Sequence, residues 1–170
     1  MAFFAPILVM RSATHPTAQR TQALLCDAGI DTRVVEFDQP TRTCAEAAEA
    51  IGCSVAEIAK SIVFRGKQSG QAVVVIASGD NRVCEKKVSA LVGEPLGRAN
   101  ADFVREATGY AIGGVAPLGH TQPARLLMDA DLQRFSTVWA AAGTPHSVFA
   151  LTPEQLARLT GVPWSDVRLD

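Results

Sequence analysis

The sequence predicts a mixed α/β domain, with one sheet of parallel and antiparallel strands and helices packed outside it. Three observations lead there. Segments that begin with helix-start signals alternate with short runs rich in β-branched residues. Two of those runs, Ser61–Phe64 and Ala72–Ala77, are joined only by Arg65–Gly70, a loop with glycines at both 66 and 70. A connection that short makes a hairpin and cannot make a parallel crossover. The chain is also 170 residues long, enough for one domain with a substantial core.

The elements follow in order. Pro16 suits the first turn of a helix reaching about Ile30, with Leu24 and Leu25 on its apolar side. Arg33–Phe37 reads as a strand. Thr43-Cys-Ala-Glu46 is a capping box opening a helix that stops near Gly52, and Ser54-Val-Ala-Glu57 opens a second short helix ending near Lys60. After the hairpin, Val83–Val92 is helical with Gly93 as its stop, and Ala101–Thr108 is a helix capped by Asn100. Gly109–Gly119 is a glycine-rich loop. Arg125–Met128, Thr137–Ala141 and Val148–Ala150 read as strands, and Thr152-Pro-Glu-Gln155 starts a last helix ending at Gly161.

Apolar residues make up 48% of the chain and charged residues 19%, which excludes a disordered protein. The net charge of −1 disfavours a protein that coats nucleic acid along its whole surface. Four cysteines, at 26, 44, 53 and 84, have no C-x-x-C spacing and read as reduced thiols in a cytoplasmic protein. The apolar run Ala2–Met10 has no basic flank and is about half a membrane span, so residues 1–15 read as a packed arm or strand and the protein as soluble. His15, His120 and His146 show no ligand spacing, and no metal site is expected. Neither a dinucleotide fingerprint nor a Walker-type loop is present.

Three places carry candidate chemistry. Lys60 falls between apolar neighbours at a predicted helix–strand junction, where its ammonium can meet a phosphate or a developing oxyanion. The glycines of Gly109–Gly119, with Pro117 stiffening the far end, let backbone amides approach a ligand. Gly143-Thr-Pro-His146 offers a histidine able to titrate near neutrality. Residues 60–98 hold seven basic and three acidic side chains, a local excess of +4 suited to a short stretch of phosphate backbone.

Lys60-Ser-Ile-Val-Phe-Arg65, Gly79-Asp80, Lys86-Lys87 and Thr108-Gly-Tyr-Ala-Ile-Gly-Gly-Val-Ala-Pro-Leu-Gly119 occur together in an order that resembles the YbaK/ProX family. These are stand-alone relatives of the editing domain of prolyl-tRNA synthetase. The resemblance spans about Ile30 to Gly161 and treats the whole chain, 1–170, as one editing domain. It implies a mixed, barrel-like sheet surrounded by helices. It also implies hydrolysis of the ester between a wrong amino acid and the 3′ end of a tRNA, with no cofactor and no membrane. The expected partners are mischarged tRNA and an aminoacyl-tRNA synthetase.

On this resemblance Lys60, Gly113 and Gly114 are the expected catalytic residues, with the loop amides holding the ester oxygen. Phe37, Ser61, Phe64, Asp80, Pro117, Gly143, Thr144 and His146 are expected to bind the substrate, and Arg65, Arg82, Lys86 and Lys87 the tRNA. Members acting on cysteinyl-tRNA carry a serine and an aspartate that align with Ala141 and Val148. Alanine-selective members have asparagine where Ser61 stands. The expected substrate is therefore a small amino acid such as alanine, serine, threonine or 2-aminobutyrate.

Overall fold

The computed structural model describes residues 10–170, so most of the apolar run expected to form an arm lies outside the described residues. Among the described residues five helices and nine strands intermix along the chain, three of the strands being short ones that the sequence does not predict. The strands are β1 (Arg11–Ser12), β2 (Val35–Glu36), β3 (Ile58–Gly66), β4 (Ala72–Ser78), β5 (Leu96–Arg98), β6 (Ala124–Asp129), β7 (Val138–Ala141), β8 (Ser147–Leu151) and β9 (Trp164–Ser165). The helices are α1 (Pro16–Asp27), α2 (Cys44–Ile51), α3 (Glu85–Val92), α4 (Ala101–Thr108) and α5 (Pro153–Thr160).

The strands form one mixed sheet in the order β1-β2-β8-β7-β3-β4-β6-β9, with β5 added beside β3. The β3–β4 and β7–β8 hairpins are antiparallel, while β3–β7, β4–β6 and β6–β9 run parallel. The expected barrel does not form. β1 and β9 end the path, each two residues long, and among the described residues they do not pair with each other. Two-residue strands offer too few ladder bonds to close a sheet.

Local chemistry sets the helix ends. Thr43 caps α2 by accepting the Glu46 amide at 3.1 Å, and Asn100 caps α4 by accepting the Phe103 amide at 2.8 Å. The Thr152–Gln155 box closes the start of α5. The second short helix predicted from Ser54 does not form. Its capping box closes a single 3-10 turn, Val55–Glu57, and β3 begins at Ile58, so Lys60 stands inside a strand. The β-branched pairing with β4 outweighs a start signal that had only one turn to act on.

β4 is the centre of the core. All seven of its residues are buried, as expected for a strand covered on both faces. Leu25 of α1, Ile76, Met128, Phe149 and Leu156 fill one side, and Val73, Val75, Val88 and Leu127 the other.

The two edges of β3 are paired unequally. On one edge it pairs with β4 from Ala59 to Arg65, but the opposite edge is shared. β7 takes only Ile58–Ala59 and β5 only Phe64–Gly66, which leaves Lys60–Val63 without a strand on that side.

At the far edge, Glu36 is buried and accepts the Thr14 and His15 amides at 2.8 and 2.7 Å and the Thr14 hydroxyl at 2.8 Å. Burial pushes its pKa up, but the His15 and Thr14 hydrogen bonds and the Arg11 charge outweigh it and hold the carboxyl below its ordinary value. A depressed carboxylate stabilises the fold above the unfolded-state pKa and loses that contribution as pH falls through the folded one. Glu36→Gln is therefore expected to lower stability at neutral pH and to flatten the acid limb of a pH–stability curve followed by circular dichroism. Ile76→Ala is expected to cost about 2–5 kcal/mol in urea unfolding, whereas Leu91→Ala, at a position 45% exposed, should stay within about 0.5 kcal/mol of the parent.

Candidate active site

A cavity of about 130 Å³ opens on the unpaired edge of β3. Its walls come from the start of α2, from Ile58–Ser61, from the ends of β7 and β8, and from Gly113 and Val115 of the glycine-rich loop. Most of the lining is apolar. The polar groups that reach it include Lys60, Ser61, Thr144 and Ser147.

The Lys60 ammonium is held in place. It donates to the carbonyls of Gly79, at 3.3 Å, and Asn81, at 2.5 Å. An ammonium has three donors, so one remains for a ligand. The turn that presents these carbonyls is itself pinned. The Asn81 amide donates to Asp129 Oδ2 and Asp131 Oδ2, both at 2.8 Å. Asp129, 1% exposed, also accepts the Ser78 and Asp131 amides at 3.0 Å each. Gly79 is required there, because a Cβ would lie 2.2 Å from the Val55 carbonyl oxygen.

Ser61 follows Lys60, and its hydroxyl is buried with no hydrogen-bond partner. Such an atom in a native site calls for an explanation, and a ligand group is one. Across the cavity, Thr144 Oγ1 and Ser147 Oγ are 2.7 Å apart and satisfy each other. Cys44 lies beside Lys60. Burial pushes its thiol pKa up and the Lys60 charge only partly offsets that, so the thiol stays protonated and is a poor nucleophile at neutral pH.

The glycine loop divides its work. Gly113 lines the cavity with φ at +90°, and its amide donates no hydrogen bond among the described residues. The Gly114 amide is already committed to the Ala111 carbonyl at 3.0 Å, so it does not share the amide role expected of it. Gly114 matters for space: a Cβ there would stand 2.7 Å from the Thr144 backbone.

Of the other residues expected from the sequence, the fold brings Thr144 to the cavity and leaves several elsewhere. Phe37 is 1% exposed and lies within the core, and Phe64 packs against Val73 and its neighbours. The Asp80 carboxylate turns to the Ser78 hydroxyl, at 2.9 Å, and to Arg134, at 3.3 Å. Pro117 is buried behind the loop, Gly143 packs beside Thr17 and Tyr110, and His146 is exposed outside the cavity.

Among the expected tRNA contacts, Arg82 and Lys86 are exposed, and Arg65 lies 5.2 Å over the Phe103 ring. Lys87 differs, since Asp166 at 3.0 Å and Asp170 at 3.4 Å engage its charge. Arg42, Cys44 and Trp139 line the cavity without having been anticipated. Arg42 and Cys44 stand at the start of α2 and Trp139 in β7, segments that only the tertiary fold brings together. Ala141 and Val148 face each other in the β7–β8 register and both line the cavity.

The chain is similar to known proteins in both sequence and fold. Residues 38–159 match the model of the aminoacyl-tRNA editing domain. The chain is 37% identical to the YwhH protein of Bacillus subtilis over 81% of its own length and 87% of the relative's. It is 24% identical, over 71% of its length and 73% of the relative's, to EbsC of Enterococcus faecalis, described as a "putative Cys-tRNA(Pro)/Cys-tRNA(Cys) deacylase". A crystal structure of "a putative trans-editing enzyme for prolyl tRNA synthetase" superposes with a TM-score of 0.87 at 43% identity, covering 93% of this chain and all of that one.

The Asp129 carboxylate is the anchor most exposed to test by stability alone. Asp129→Ala strands the donors of Ser78, Asn81 and Asp131 and is expected to cost about 2–4 kcal/mol in urea unfolding. Asp129→Asn keeps one acceptor oxygen, enough for the Ser78 and Asn81 donors, but turns an NH2 toward the Asp131 amide, so it should cost less than alanine and still more than nothing.

Proposed function

The chain belongs to the aminoacyl-tRNA editing domain family, a family of hydrolases that act on mischarged tRNA, and from that premise we propose that it removes a small amino acid from the 3′ end of tRNA in trans. One observation carries this reading. The anchored Lys60 ammonium, the unpartnered Ser61 hydroxyl and the Gly113 amide converge on one small cavity.

An aminoacyl ester is already activated, so the site needs positioning and charge stabilisation more than a strong nucleophile. Water adds to the ester carbonyl. The oxygen that gains charge accepts from the Gly113 amide. The C–O bond to the ribose breaks, and the ribose oxygen takes up the proton that the water gives. Lys60, with its one uncommitted donor, holds the ribose or the terminal phosphate so that the carbonyl meets Gly113.

The size of the cavity supports a small side chain. Its volume of about 130 Å³ is below the ~150 Å³ apolar cavity known to hold a benzene ring. Ala141 and Val148 supply an apolar wall where cysteine-type members carry a serine and an aspartate. Alanine and 2-aminobutyrate suit that apolar wall, and serine or threonine fits where its hydroxyl meets the unpartnered Ser61 hydroxyl. One methylene changes binding by only about 1–3 kcal/mol, so activity spreads over several of them. EbsC, described as a "putative Cys-tRNA(Pro)/Cys-tRNA(Cys) deacylase", makes cysteine the informative competitor, and the solved "putative trans-editing enzyme for prolyl tRNA synthetase" makes a synthetase the natural companion.

A deacylation panel of mischarged tRNAs tests the reading. Hydrolysis of alanyl-, seryl- or threonyl-tRNA is expected ahead of cysteinyl-tRNA, and exclusive activity on cysteinyl-tRNA, or binding without turnover, would overturn it. Lys60→Ala is expected to lower turnover by roughly a hundredfold or more, the scale of losing one preorganised charge contact, with the thermal midpoint little changed. Gly114→Val should inactivate by pushing the loop off Thr144. Lys86→Glu should raise the KM for tRNA at low salt and leave the order of preferred amino acids unchanged, and its effect should fade as salt rises.

A further inference from the structure

The unpaired edge of β3 continues past the first cavity. A second cavity, of about 230 Å³, opens beside it, and the two share Ser61, Gly113 and Val115. The remaining walls of the second are apolar: Ile62, Val63, Ala99, Val104 and Ile112. Ile112, at the tip of the glycine loop, is 56% exposed, an unusual place for a large aliphatic side chain.

The backbone of β3 also faces this gap. The Gly66 amide donates to the Gln71 carbonyl toward β4, and the Lys67 amide to the Pro95 carbonyl on the β5 side, both at 2.9 Å. Backbone groups alternate along a strand with period two. Counting back, the amide and carbonyl of Ser61 and Val63 point to the open edge. The Val63 carbonyl faces Ala99 beside the Phe64–Arg98 pair, but among the described residues neither the Ser61 carbonyl nor the Val63 amide hydrogen-bonds to a strand or loop there. Successive groups along that edge are the Ser61 carbonyl, an acceptor, and the Val63 amide, a donor.

Resting on the deacylase reading, we propose that this second cavity binds the adenine ring of the tRNA's terminal nucleotide. The substrate is bipartite, with a small side chain on one side of the ester and a nucleoside on the other. The two cavities are bipartite in the same way, and they meet at Ser61 and Gly113, beside the Lys60 ammonium. The larger one is apolar, as suits the faces of a purine. The edge of adenine carries an amino donor beside a ring-nitrogen acceptor. That pattern complements the Ser61 carbonyl and the Val63 amide. Hypoxanthine has the same shape but an oxygen in place of the amino group, so it sets acceptor against acceptor.

Titration calorimetry with AMP and IMP on the purified protein tests the pairing directly, whatever tRNA is edited. AMP is expected to bind in the millimolar range or tighter and IMP at least tenfold more weakly. Equal binding of the two, or none of AMP, would overturn the proposal. Ala99→Leu, which fills the cavity, and Ile112→Asp, at an exposed position, should each weaken AMP about tenfold or more. Each should raise the KM for the preferred aminoacyl-tRNA by a similar factor, with kcat changed less. Ile112→Asp serves if Ala99→Leu fails to fold. Unaltered AMP affinity and KM in a folded variant would place the base elsewhere. A wild-type protein that binds AMP but deacylates no tRNA would refute the deacylase reading and leave the purine site standing.

Discussion

The arrangement of the site depends on an interruption in β-pairing. A strand at the centre of a sheet normally has both edges satisfied, and β3 is satisfied on one edge along nearly its whole length. On the other, β7 and β5 each cover one end and leave Lys60–Val63 bare between them. Unpaired backbone groups inside a protein are costly, so the gap has to be filled by something. The glycine loop fills part of it with Gly113 and Val115 and leaves two cavities along the rest. Chemistry is located where the sheet is incomplete, and the completed part of the sheet keeps it rigid.

Lys60 illustrates how a strand residue becomes a site residue. A lysine in a half-buried strand would ordinarily turn its ammonium to water. Here the turn after β4 supplies two carbonyls, and Asp129 and Asp131 hold that turn through Asn81. The buried Asp129 never touches the cavity, yet it sets where the ammonium stands. The family motif at Gly79-Asp80 gains a physical meaning from this. Gly79 allows the backbone to approach Val55 and brings its carbonyl to Lys60, while the Asp80 side chain faces the other way, to Arg134.

Much of this was legible in the sequence where the signal is local. The caps at Thr43, Asn100 and Thr152, the β3–β4 hairpin and the start of α5 all depend on residues a few positions apart, and each lies where its pattern put it. Lys60, Ser61 and Gly113 were legible as a motif, and the fold brings them to one cavity. The edge strands β1, β5 and β9 were not, because two or three residues carry no periodicity. Phe37, Phe64 and His146 were expected at the pocket by their neighbourhood in the chain. The inward direction of Phe37, just past β2, and the outward turn of His146 depend on tertiary packing that sequence proximity does not encode. Arg42 and Trp139 reach the cavity from elements far apart in sequence, which is why no motif contained them.

Tyr110 gives the site a constraint of a different kind. Its hydroxyl donates to the Leu118 carbonyl at 2.7 Å, closing the glycine loop on itself, and the ring is 1% exposed. Two glycines from separate loops lean on that one side chain. A Cβ at Gly119 would come within 2.7 Å of its oxygen, and one at Gly143 within 3.0 Å of its ring. The loop bearing Gly113 and the loop bearing Thr144 are therefore wedged against a common post. Neither can be lengthened or reshaped without disturbing the other, so divergence of this enzyme toward a new amino acid has little freedom in its loops. The freedom lies on the β7 and β8 strands, where the paired Ala141 and Val148 both line the cavity. New specificities should arise there by single substitutions, with the loops inherited unchanged.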